Sequence, residues 1–333
     1  MASAVGSLLR RVTRKKEDKI SVLTFDTHES YQVEQAKCNC EFYSIQAEGI
    51  KTWDNRYRIM PSNYTQIGHP NNIPIDLDFD VILSQNRGAH WGIANQLSKI
   101  LHIPLINLEH VLPAPNFTPD IIRSWKQMGG DINVFITHYN AKVWRYEENE
   151  CEVIYHGIDC NLFSPDLNIQ KNKHILSVVN LFRQRDWCCG FNFWEQATCG
   201  LPRYHVGHDP GFSEAADSVE GLVNKYREAQ IFINTSLVSP VPTSLLEAAA
   251  CGTCIVSTKT CSIPEFFTHK ENAYLSDSPE EMKKHLEMLL NNEDECNRIG
   301  INARKTVQEK FSSEAFVNKW NNLFRKAVNR SVI

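Results

Sequence analysis

Short apolar runs alternate with amphipathic ones along most of the chain. Lys19 to Phe25 (KISVLTF) is rich in β-branched residues and stops at Asp26-Thr27-His28, which predicts a buried strand ending in a polar turn. Asp80 to Ser84 predicts the next strand. A helix follows over Trp91 to Leu101, apolar at Trp91, Ile93, Leu97, Ile100 and Leu101, then Pro104 and a strand from Leu105 to Leu108. Nearly continuous apolar strands joined by an amphipathic helix predict a parallel sheet covered on both faces. A helix over Phe117 to Met128 and strands over Asn133 to Thr137 and Glu152 to Tyr155 extend the series. Strand signals are scarce from Phe25 to Asp80, which predicts a trimmed first domain.

The pattern breaks at "HGIDCNLFSPD", whose Gly, Asp, Asn, Ser and Pro suit a linker ending at Pro165. A second series then runs strand His174 to Asn180, helix Phe191 to Thr198, strand Arg203 to Gly207, helix Ser218 to Ala229, strand Ile231 to Thr235, helix Ser244 to Cys251 and strand Cys254 to Ser257. After a short strand at Ala273 to Leu275, helices are predicted over Pro279 to Leu290, Glu293 to Phe311 and Ser313 to Val328. The last one carries Phe316, Trp320, Leu323 and Phe324 on one face, which needs a partner. The expected organisation is α/β: a basic flexible tail (residues 1–18), a first domain (19–165), a second (166–312) and a terminal helix (313–333).

Length agrees, since 333 residues correspond to about two domains. With 42% hydrophobic and 22% charged residues, collagen-like and disordered classes are excluded. The net charge of −4 gives no overall attraction for polyanions, so contact with DNA or a membrane surface would fall to the tail, with Arg10, Arg11, Arg14, Lys15 and Lys16. No apolar run has the length of a membrane span. Eleven cysteines without an apolar leader predict free thiols and a cytoplasmic setting. No metal is expected. Asp76, Asp78 and Asp80 lead into a strand instead of following one, and Cys251, Cys254 and Cys261 lack a fourth ligand at local spacing.

In such a sheet, ligand chemistry belongs just after strands. Thr243 and Ser244 open a helix whose N–H groups and positive dipole end suit an anion such as a diphosphate. Glu247, one turn in, suits the two hydroxyls of a ribose; the plainer alternative is that Thr243 and Glu247 only cap and solubilise a helix start. His28 and Glu29 follow the first strand and offer contacts to acceptor hydroxyls or proton transfer, against the alternative of a satisfied structural histidine. Asn86 and Arg87 follow the next strand; their alternative is a polar loop.

"SPVPTSLLEAAACGTCIVST" (Ser239 to Thr258) resembles the signature of group-1, family-four glycosyltransferases of the GT-B fold, two Glu separated by seven residues and followed by "AMACGTPVV". Other segments agree in order: "LINLEH" (Leu105 to His110), "VIYHGIDCNLFSPD" (Val153 to Asp166), "HILSVVNLFRQRD" (His174 to Asp186), "YHVGHDPG" (Tyr204 to Gly211) and "LVNKYREAQIFINTS" (Leu222 to Ser236). The resemblance implies two Rossmann-like domains facing a central cleft and a retaining transferase that takes a sugar from a nucleotide-diphosphate sugar, without a cofactor or metal. It places Asn180, Arg183, Arg185, Gly207, Pro242, Thr243, Ser244 and Glu247 at the donor. His110 corresponds to the family's sugar-contacting His and counts as catalytic with His28 and Glu247. Ser239 replaces the first Glu, and Pro240 and Pro242 replace glycines whose N–H groups would face the diphosphate. Those departures also fit a nucleotide-sugar-binding protein impaired in catalysis; a GT-B-type epimerase is a third reading. The acceptor is unidentified: a glycan, a small molecule or a modified nucleobase in DNA.

Overall fold

The computed structural model describes residues 18–74 and 77–330. Residues 1–17 of the basic tail, Asp76, and the last three residues lie outside the described residues. The chain divides into two compact units, one running to Gly157 and resuming at Glu314, the other Ile158–Ser313. The division falls earlier than the break read at Pro165. Ile158 bridges to Ser312, Phe163 packs edge-on against Tyr226 at 6.3 Å, and the Arg227 Nε donates to the Ser164 carbonyl at 2.7 Å. The supposed linker is therefore part of the second unit's surface.

The first unit is a parallel sheet of seven strands: β1 (Ile20–Phe25), β2 (Cys40–Ile45), β3 (Tyr64–Ile67), β4 (Val81–Ser84), β5 (Leu105–Glu109), β6 (Ile132–Phe135) and β7 (Glu152–Val153), in the order β3-β2-β1-β4-β5-β6-β7. Helices α1 (Glu29–Gln35), α2 (Trp91–Leu101), α3 (Pro119–Lys126) and α4 (His138–Val143) make the crossovers. The expectation of a trimmed first domain is overturned, because Phe25 to Asp80 supplies α1, β2 and β3. Those strands were hard to read because β2 alternates (C-E-F-Y-S-I, with Glu41 and Tyr43 half-buried) and β3 is a short edge strand with Thr65 and Gln66 exposed. The terminal helix, Ser313–Arg330, buries Phe316, Trp320, Leu323 and Phe324 in this unit's core beside Val22, Phe42 and Ile106. Gly157 permits its approach: a Cβ there would lie 2.7 Å from the Phe316 ring.

The second unit has five parallel strands, β8 (Asn172–Val178), β9 (Arg203–Val206), β10 (Ala229–Asn234), β11 (Cys254–Ser257) and β12 (Tyr274–Leu275), in the order β12-β11-β10-β8-β9. Its helices are α5 (Asp186–Cys189), α6 (Phe191–Thr198), α7 (Val219–Glu228), α8 (Thr243–Ala250), α9 (Ile263–Phe266), α10 (Pro279–Leu290) and α11 (Glu293–Lys310), which makes the terminal helix α12. The core gathers Ile175, Phe182, Trp194, Ile231, Val256, Leu286 and Ile299. All eleven cysteines are free thiols. Among the described residues no helix is long and apolar enough to cross a membrane.

Candidate active site

The end of β1 is held by side chains that no local pattern announces. The buried Asp26 carboxylate accepts from the Gln46 and Gln66 amides at 2.7 and 2.8 Å and from the Trp53 backbone N–H at 3.1 Å. Gln32 of α1 accepts from the N–H groups of Thr27 and His28 and returns its own amide to the Phe25 carbonyl at 2.9 Å. The post-strand turn is therefore rigid. His28 caps α1, its Nδ1 accepting from the Tyr31 N–H at 3.4 Å. Its ring lies 6.1 Å from that of His110, nearly parallel, and 6.5 Å from that of His156. Tyr31 is edge-on to both neighbours, at 4.6 Å from His110 and 5.5 Å from His156, and accepts from the Trp320 indole N–H at 3.0 Å. His156 was not singled out from the sequence; it sits in the segment read as a linker.

Burial lowers the pKa of His28 and carries that of His110 well below its ordinary value, with charge on His28, His156 and His90 opposing protonation of His110 further. The imidazoles are therefore neutral near pH 7 and serve as hydrogen-bonding groups. The remaining acceptor-side candidates are structural. Glu29 is buried, pairs with Lys51 and accepts from the Asp54 N–H at 3.1 Å. Asn86 accepts from the N–H groups of Ala89 and His90 at 2.9 and 3.3 Å. Arg87 is only 1% exposed; its guanidinium lies 5.2–5.3 Å from the Phe135, Trp144 and Tyr146 rings, 3.3 Å from the Glu109 carboxylate and 3.0 Å from the Tyr146 hydroxyl. A guanidinium so enclosed has no surface left for an acceptor.

In the second unit the donor candidates gather on the loops after β8, β9 and β10. Gly207 closes the β9 turn with φ +151, and a Cβ there would fall 2.0 Å from the Val179 carbonyl. The Asn180 side chain accepts from the His208 N–H at 2.8 Å and ties two of the loops together. Arg183 is committed to the buried Asp209, through its backbone N–H at 2.9 Å and its guanidinium at 3.0 Å, and donates also to the Pro210 carbonyl. It therefore shapes the loop, with its side chain still 40% exposed. Arg185 is exposed and makes no ion pair among the described residues. Cys188 and Cys189 lie next to it with sulfurs 3.6 Å apart; the Cys189 hydrogen bond and the Arg185 charge lower the Cys188 thiol.

Pro242 is the N-cap of α8 and offers no side-chain cap, while Thr243 and Ser244 are half-buried. Glu247 is buried, only 5% exposed, and accepts from the buried Tyr226 hydroxyl at 2.9 Å. That hydroxyl, contributed by α7, orients the carboxylate; its role could not be seen from the signature alone. Asp80 accepts from the Ser21 N–H at 2.7 Å, a structural bond at the opposite edge of the first sheet. No cluster of three metal-ligating side chains occurs among the described residues.

Residues 213–306 match the family model of the glycosyl transferases, group 1. No curated protein matches the chain by sequence. Solved structures of similar fold include Anabaena HepE in complex with UDP and glucose (TM-score 0.71, 14% identity, 91% of this chain and 99% of that one). Sucrose-phosphate synthase from Thermosynechococcus elongatus superposes with a TM-score of 0.72 at 14% identity over 94% of this chain and 100% of that one. A glycosyltransferase from Rickettsia africae does so at 0.69 and 13% over 93% and 99%. The chain thus has the GT-B fold, two parallel α/β units, with the group 1 glycosyl transferase match carried on residues 213–306 of the second.

Proposed function

We propose that the protein is a glycosyltransferase that moves a sugar from a nucleotide-diphosphate sugar to a hydroxyl-bearing acceptor, with retention at the anomeric carbon and without a metal. The observation that carries this reading is the chemistry after β8 and β10: Arg185 exposed, beside the Cys188 thiol and without a carboxylate partner among the described residues, and α8 opening with Thr243 and Ser244 and no capping side chain. The first-turn N–H groups and the two hydroxyls suit a diphosphate, and Arg185 neutralises the charge that develops on it as the sugar departs. Glu247, held by Tyr226, is oriented to accept from ribose hydroxyls. The fold relatives captured with UDP support the nucleotide class.

The test is sugar transfer and nucleotide release with UDP-sugars, following product configuration by NMR. Arg185→Ala and Glu247→Gln are each expected to lose activity; wild-type rates in both would overturn the assignment. A second reading, nucleotide-sugar binding without transfer, is favoured by Ser239, Pro240 and Pro242. It predicts calorimetric donor binding with no product from any acceptor.

A further inference from the structure

His110 belongs to a hydrogen-bond chain whose polarity can be read from a carbonyl outward. The Thr24 hydroxyl donates to the Leu83 carbonyl at 3.0 Å, since a carbonyl only accepts. Thr24 Oγ1 therefore receives its 3.2 Å bond from the Gln85 amide nitrogen. That fixes the orientation of the Gln85 amide and leaves its oxygen facing His110 Nε2 at 3.1 Å. An amide oxygen cannot donate, so His110 must carry its proton on Nε2. Its other nitrogen, Nδ1, is then a bare lone pair. Nδ1 is buried and has no hydrogen-bond partner among the described residues. Gln85 and Thr24 are themselves fully buried, so the chain cannot exchange its partners for water.

A buried acceptor without a partner is unfavourable, and a group that brings a hydrogen relieves it. Across from it, His28 accepts on Nδ1 from Tyr31, so its neutral ring carries the proton on Nε2 and offers a donor. We propose that Gln85 is a positioning residue that holds His110 as the Nε2–H tautomer, reserving Nδ1 to accept from a hydroxyl of the bound sugar. The identity of that ligand rests on the glycosyl transfer proposed above; the tautomer does not. A site of this polarity favours a neutral, hydroxylated sugar over one bearing a carboxylate at the same place, because a carboxylate and a bare imidazole nitrogen are both acceptors.

The groups packed around His110 are the His28, His156 and His90 imidazoles, whose charges oppose its protonation, and Tyr31, with Glu109 preceding it in the chain and engaged by Arg87. Gln85→Glu replaces the amide with an anion that stabilises the imidazolium, which turns Nδ1 into a donor. Gln85→Leu removes the constraint and releases both tautomers.

Two-bond proton–nitrogen correlation of 15N-histidine protein is expected to show Nε2 protonated and Nδ1 bare in the wild type. A protonated Nδ1 there would overturn the proposal without any appeal to activity. In Gln85→Leu, KM for UDP-glucose should rise about 10-fold, the worth of one hydrogen bond, with kcat little changed. In Gln85→Glu, the preference for UDP-glucose over UDP-glucuronate should fall by about 10-fold or more. Unaltered preference alongside an imidazolium signal would sink the ligand contact. A correct tautomer in a protein that binds no nucleotide sugar would refute glycosyl transfer and leave the assignment of Gln85 standing.

Discussion

The two sheets share their winding and differ in what they do with polar groups. The first unit has seven strands and ties most of its post-strand polar atoms to internal partners: Asp26 to two glutamines and a backbone N–H, Arg87 to Glu109 and three aromatic rings, His28 to the α1 cap, while Asp26 Oδ1, Arg87 Nε and His110 Nδ1 have no hydrogen-bond partner among the described residues. The second has five strands, leaves Arg185 exposed on the loop after β8 and sets the half-buried Thr243 and Ser244 in the first turn of α8. One region gathers the imidazoles of His28, His110 and His156 around Tyr31, and the other sets an exposed guanidinium and the uncapped start of α8 after its strands. The contrast explains why two arginines that look equivalent as post-strand cations have opposite fates. Arg87 is enclosed by its partners, while Arg185 is exposed and has no carboxylate partner among the described residues.

Arg87→Ala breaks this comparison at its strongest point. It leaves Glu109 buried without its cation and opens the aromatic box, so denaturant unfolding should show a loss of about 3–5 kcal/mol. A loss below about 1 kcal/mol would return Arg87 to the list of ligand-binding candidates. Arg185→Ala should do the reverse. Stability without ligand should stay within about 0.5 kcal/mol of wild type, while kcat falls by about 10²–10³ and stabilisation by UDP in a thermal shift shrinks. An unligated loss comparable to that of Arg87→Ala would erase the distinction between the two regions.

A smaller effect sharpens the picture through pH. Burial lowers His90, stacked on Phe25, and His205, between Phe182 and Phe212, to about 4 in the folded state. The unfolded chain titrates near 6.5 and binds more protons over that interval, so each histidine's stabilisation is complete above pH 6.5 and is lost as pH falls toward about 4. At pH 5.5 each contributes a loss of about 1.4 kcal/mol relative to neutral pH. Urea midpoints at pH 7.5 and 5.5 check this. Burial also lowers His28 and His110 in the first unit and His174, His269 and His285 in the second, all with the same sign, so a midpoint independent of pH would show that none of these rings is held neutral.

Regular elements were the legible part of this chain. Trp91–Leu101, Phe191–Thr198, Cys254–Ser257 and Pro279–Leu290 lie where their periodicity puts them, because an amphipathic helix or a buried strand writes its environment into neighbouring residues. The alternating β2 and the short edge strand β3 write it weakly, which is why the first domain reads as trimmed in the sequence. Among site residues, Arg185 and Glu247 could be proposed from position and motif. Tyr226, Gln85 and His156 could not, since each acts on a group far away in sequence: Tyr226 on Glu247, Gln85 on His110, His156 across Tyr31 from His110.

The amino-acid sequence by itself determined that this is an α/β chain of two parallel series with Thr243 and Ser244 opening a helix after a strand, since those properties reside in local spacing and side-chain type. Only the tertiary structure decided which charges are available. Arg87, Arg183 and Arg185 carry the same guanidinium in similar post-strand loops; a buried carboxylate engages the first two and none engages the third. The difference lies in long-range partners, Glu109 and Asp209, that only folding brings within hydrogen-bond distance.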